Sequence, residues 1–149
     1  MRRIRGTARA AACALGLVAL AAWAPPAASP LGLWWTKGRQ AVVDIEPCGQ
    51  ALCGRLVGLP RQRGEAIPTD SRGRSQCGET IIRGARPTGG GDWLGKVADP
   101  RTGATYRARL WMDERGELHL RGYIFVPLLG RSQVWRRFDG HLDATCFVS

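Results

Sequence analysis

Residues 48–53, Cys-Gly-Gln-Ala-Leu-Cys, set two thiols five positions apart, and Cys77 and Cys146 supply two more further along the chain. Thiols so spaced can grip a metal, exchange electrons, or join as a staple across a hairpin. Zinc sites favour tighter cysteine pairs followed by spaced histidines. Here C-x4-C is loose, and the only two histidines, His119 and His141, come with no partner motif. Neither a metal site nor a cofactor is expected. No G-x-S-x-G, H-E-x-x-H or phosphate loop occurs. Asp70 and Asp99 are candidate acids, but Asp99 directly precedes Pro100, the setting of a turn former. No residue is assigned a catalytic role.

The fate of the thiols depends on compartment, and the first residues address it. Arg2, Arg3 and Arg5 form a basic head, and Ala10–Ala24 is an apolar run of fifteen residues without a charge. The small residues Ala27, Ala28 and Ser29 follow. This order predicts a secretory signal peptide over residues 1–28, the run being short for a membrane span; an uncleaved anchor is the alternative. The mature domain is then residues 29–149, periplasmic or secreted, with no stable membrane span. Cleavage removes four arginines and no acid, lowering the net charge from +10 to +6. That excess favours an anionic envelope component as a partner, while the compartment argues against nucleic acid. It also removes Cys13, leaving four cysteines in an oxidising setting, the arithmetic of two disulfides. Cys48 and Cys53 flank a four-residue turn at bridging distance, which leaves Cys77 with Cys146.

The elements that position these residues read as β-strands. Twenty glycines, nine prolines and short alternating runs point to an all-β domain. Strands are expected at Gly32–Thr36, Gln40–Glu46, Leu52–Leu59, Thr80–Arg86, Trp93–Ala98, Thr105–Met112, Leu118–Val126 and Ser132–Asp139. Eight strands joined mostly by short turns form an antiparallel up-and-down meander, which removes its edges by closing into a barrel. Arg61–Gly78 is polar and glycine-rich, and reads as a long loop pinned by Cys77.

Parity sets the register. A loop at Glu114-Arg115-Gly116 pairs Met112 with Leu118 and Leu110 with Leu120. The Pro100–Gly103 turn pairs Val97 with Tyr106, Gly95 with Ala108 and Trp93 with Leu110. Three successive strands then agree on one interior face, with Trp93, Tyr106, Leu110, Leu120 and Ile124 inside. Arg107, Arg109 and Arg121 fall outside, either splayed into solvent or grouped as an anion site; Arg109 lies opposite Arg121.

The motifs G-x-W (Gly32–Trp34), C-G-x-x-L-C-G-R (Cys48–Arg55), D-P-x-x-G-x-x-Y (Asp99–Tyr106), R-G-Y (Arg121–Tyr123) and G-R-x-x-x-W (Gly130–Trp135) together resemble the DUF2147 family of secreted bacterial proteins. The resemblance implies a lipocalin-like barrel and brings no settled activity. It also implies that Trp34 plugs the narrow end and that Arg137, from the last strand, covers it. One departure is the segment after Asp70, where many members carry Asn-Pro and this chain has Ser71-Arg72-Gly73-Arg74.

The interior residues Trp93, Tyr106, Leu110, Ile124 and Trp135 are the candidate ligand-binding set. Rings around an eight-strand barrel either fill it or line a pocket for one small ligand. About 121 mature residues favour a filled interior. Gly95 and Gly122 decide nothing alone: such glycines can leave room for a ligand, or for an opposing ring such as Trp135 over Gly122. Three readings follow: a lipocalin-like binder of a small apolar or amphipathic molecule; a non-enzymatic envelope interaction module with a filled core and an arginine-rich outer face; and a hydrolase built around Asp70, Arg55 and a histidine.

Overall fold

Alternation of apolar and polar side chains draws most of the chain into strands. The computed structural model describes residues 28–148, so the expected signal peptide lies, but for its last residue, outside the described part. The strands are β1 (Gly32–Trp35), β2 (Val42–Cys48), β3 (Ala51–Gly58), β4 (Thr80–Pro87), β5 (Asp92–Ala98), β6 (Thr105–Met112), β7 (Leu118–Tyr123) and β8 (Arg131–Arg137). Each pairs antiparallel with its neighbours in sequence, and β8 returns to β1 to close an eight-stranded barrel. The closing seam is short, Trp34 facing Arg137 and Trp35 facing Arg136. No helix among the described residues is long and apolar enough to cross a membrane.

The β5–β6–β7 register is the expected one. Trp93 faces Leu110, Gly95 faces Ala108 and Val97 faces Tyr106; Leu110 faces Leu120 and Met112 faces Leu118. Gly116, at φ 76°, takes the left-handed position that the β6–β7 turn needs. Asp99 is a turn former as read, its Oδ1 accepting the Arg101 amide at 2.8 Å.

Three expectations are corrected. β7 does not run to Val126; it ends at Tyr123, because Pro127 supplies no ladder N–H and opens a single 3-10 turn, Pro127–Leu129. Ile124 is therefore not an interior strand residue but a rim residue, 63 % exposed. The β2–β3 turn is shorter than read. Cys48 faces Ala51, so the loop is Gly49-Gln50 alone, and Cys53 faces Glu46. The cysteines still bridge, diagonally, with Cα atoms 5.7 Å apart. Gly95 leaves no room for a ligand. A Cβ there would lie 2.7–2.8 Å from backbone atoms of Arg83 and Ala85, where the register of β4 on β5 slips beside Gly84 (φ 61°).

The register also defines two ends. β1, β3, β5 and β7 start, and β2, β4, β6 and β8 finish, at one end, where Trp34, Val43, Ile45, Leu110, Leu118 and neighbours pack into a buried core. The opposite end carries the β5–β6 turn, the Ile124–Gly130 segment and the residue 59–79 loop. The second disulfide, Cys77–Cys146, ties that loop to the C-terminal tail, with Cα atoms 6.0 Å apart. Asp70 organises the loop: its buried carboxylate accepts the amides of Arg72 (2.8 Å) and Arg74 (2.9 Å) and the Arg74 guanidinium (2.7 Å).

Candidate ligand-binding cavity

A cavity of about 580 Å³ occupies the second end of the barrel. Its buried apolar wall comes from Leu56, Leu59, Ile81, Leu120 and Trp135, all inward positions of their strands or just beyond them. Tyr106 and Gly122 complete it, and a Cβ on Gly122 would sit 3.8 Å from that of Tyr106. Polar side chains share the lining, among them Thr36, Gln40, Gln76, Asp99 and Gln133. Gln133 accepts the Trp135 indole N–H at 2.9 Å, and Gln76, which lines the cavity from the long loop, donates to the Thr69 carbonyl of the same loop at 3.0 Å. Arg101, Arg131, Ile124 and Leu129 stand at the mouth.

The expectation of a filled interior therefore holds for the first end alone. Of the five candidate ligand residues, Tyr106, Trp135 and Ile124 line the cavity, Ile124 only at its rim. Trp93 and Leu110 do not reach it. They face one another near the closed end, where Leu110 is fully buried and Trp93 packs against the core. Nor does Trp135 cover Gly122, which faces Arg131; Trp135 faces Leu118. Gln133 and Val97 were missed, although each shares an inward parity with a residue that was named (Trp135 and Trp93). Gln76 comes from an irregular loop, where no periodicity exists to find it.

At the closed end the Trp34 ring is fully buried and its indole N–H donates to the Pro30 carbonyl at 2.8 Å. The Arg137 guanidinium covers that ring. On the outer wall Arg109 binds Asp92. Arg121 donates to the carbonyls of Pro127 and Leu128 and to the Ser132 hydroxyl. These two cations are thus occupied within the fold, while Arg107 lies exposed beside Tyr123.

A family model described as an uncharacterized protein conserved in bacteria, DUF2147, matches residues 32–137. The chain belongs to this family. No curated protein matches it. In structure, this DUF2147 barrel is similar to protein HP1028 from the human pathogen Helicobacter pylori, described as belonging to the lipocalin family. The TM-score is 0.62 at 17 % identity, covering 73 % of this chain and 82 % of that one. The likeness is one of fold.

In this DUF2147 barrel none of Asp70, Arg55, His119 and His141 lines the cavity. Asp70 is committed to Arg74, and Arg55 faces Asp44 on β2 and β3. His119 bonds Asp113 at 2.9 Å on the outer wall, away from the cavity. Asp113, Glu117 and His119 bring potential ligand atoms within 4.8 Å of one another. Each already has a partner: Asp113 caps the amides of Arg115 and Glu117, Glu117 binds Arg136, and His119 stacks on Trp111. The His119 bond, first, and the Glu117 amide hold the Asp113 carboxyl below its ordinary range.

Proposed function

We propose that this protein is an exported carrier of a small apolar or amphipathic molecule, bound in the cavity between Tyr106 and Trp135. The observation that carries the reading is the cavity: about 580 Å³, within the roughly 300–1,000 Å³ of sites for such ligands. Its buried wall is mostly apolar and the exposed Arg101 and Arg131 border it, an arrangement that seats a hydrocarbon and leaves a head group near water. Tyr106 and Trp135 are the ligand-facing rings, Ile124 guards the rim, and Trp93 and Leu110 support the floor through the core. Export is supported by two disulfides, which persist in oxidising compartments, and by the apolar leader, which together favour the periplasm or the exterior.

Isothermal titration with a long-chain fatty acid tests this, set beside native mass spectrometry of protein purified from its oxidising compartment. Wild type should bind saturably at one site. Gly122→Leu, which projects into the cavity from a position with ordinary clearance, should fold and lose binding. A wild type that binds no amphipath and carries no co-purifying molecule would overturn the proposal, as would undiminished binding by folded Gly122→Leu.

A further inference from the structure

We propose that residues 124–129 form a membrane-docking loop that seats the barrel mouth on an anionic phospholipid surface. Six consecutive residues, Ile-Phe-Val-Pro-Leu-Leu, carry no charge, and three of them lie almost wholly in water: Phe125 at 79 %, Leu128 at 84 % and Leu129 at 77 % exposed. Single exposed apolar residues are ordinary, whereas a contiguous patch marks an interaction surface.

The fold holds this patch outward. Arg121 anchors the loop from below through the carbonyls of Pro127 and Leu128. Leu129 N–H donates to Val126 O at 3.2 Å, and Gly130 N–H to Pro127 O at 3.0 Å. The carbonyls of Val126, Pro127 and Leu128 are thus satisfied internally and Pro127 has no N–H, which lowers the penalty for leaving water. A flexible loop free to fold its side chains onto the barrel would not need such anchoring.

Charge complementarity selects the occupant. Arg131 follows the loop after Gly130 and borders the cavity mouth exposed, whereas Arg101 there is paired with Asp99; residues 29–149 carry a net charge of +6. Apolar side chains beside an exposed guanidinium, on a domain of net positive charge, match the acyl and phosphate layers of an anionic bilayer. Ile124 and Leu129 belong both to this loop and to the cavity rim, so docking would set the opening against lipid. That last consequence rests on the carrier reading; docking itself does not.

Flotation of the disulfide-intact protein with phosphatidylcholine liposomes, with and without phosphatidylglycerol, tests the proposal. Wild type should float with the anionic vesicles, less so as salt rises. Phe125→Ser/Leu128→Ser changes only exposed side chains, so it should keep the wild-type melting temperature and lose about tenfold or more in vesicle affinity. Equal flotation of wild type and variant, or none by wild type, would overturn docking. So would a concentration-dependent dimer that the double variant abolishes, since the loop would then serve a second copy of this chain. Fatty-acid titration in solution separates the two proposals. Binding of fatty acid without flotation sinks docking and leaves the carrier standing; flotation without fatty-acid binding does the reverse.

Discussion

The guanidinium carbon of Arg137 stands 3.9 Å from the centre of the Trp34 ring, and the same group donates to the carbonyls of Leu31 and Ser29. One cation therefore closes the end of the barrel and ties down the strand that enters it. Desolvation pulls the Arg137 pKa down from its ordinary value, but an arginine stays charged across the physiological range. Arg137→Ala should cost about 1–2 kcal/mol, read as a lower denaturation midpoint with an unchanged slope. Arg137→Lys should recover less than half, because an ammonium lacks the planar fork that spans ring and carbonyls together.

The two disulfides close loops of very different length, with sequence separations of 5 and 69. Constraining the unfolded chain gives about 2 kcal/mol for the short loop and about 4 for the long one. Thermal melts of Cys48→Ser/Cys53→Ser and Cys77→Ser/Cys146→Ser should show the larger drop in the second pair. Equal drops would mean that local packing, and not chain entropy, sets the difference.

Two glycines that face Ala108 from the strands on either side of β6 should respond differently. Gly95→Ala drives a Cβ into the β4 backbone and should cost about 1–3 kcal/mol or more. Gly122→Ala meets its nearest neighbour, Val97, at 3.4 Å, an ordinary contact, and should change stability by less than about 0.5 kcal/mol. Denaturant titration of the two variants side by side checks both.

Asp70 gives the fold an acid-sensitive point. The backbone amide of Arg74, above all, and then its guanidinium hold this carboxyl below the ordinary aspartate value of 3.8. A depressed folded-state pKa adds stability that is present above 3.8 and is lost as pH falls through the lower folded value. Asp70→Asn should therefore melt earlier than wild type at neutral pH. The gap should close as the solution is acidified below 3.8.

Strand positions and the β5–β6–β7 register were legible because hairpins are local: parity within each strand and turn length between them decide which residues meet. Trp34 and Arg137 came instead from family resemblance, since 103 positions separate them and no local pattern links such a pair. The cavity was not legible. Parity places Trp93 and Tyr106 on one interior face alike, but whether space remains beside each depends on packing across the barrel. Ile81 and Ile82 illustrate the limit. Both are buried although adjacent, in the strand whose pairing slips on both sides, and alternation cannot express that. Nor could it show that Ile124 leaves the ladder, because an apolar run reads alike in a strand and in an exposed loop.

The two-pair seam between β1 and β8 also bears on the order of events in folding. Seven of the eight ladders join strands adjacent in sequence, and all of these but β3–β4, which spans the long loop, can form as hairpins that close short connections. The eighth joins residues about a hundred positions apart and gains least contact for the chain entropy it consumes. The meander should therefore assemble first as an open, curling sheet, with closure as the last event and the first to be undone. The stack of Arg137 on Trp34 spans that seam and acts as its latch, so substitutions there should speed unfolding and leave the folding rate nearly untouched.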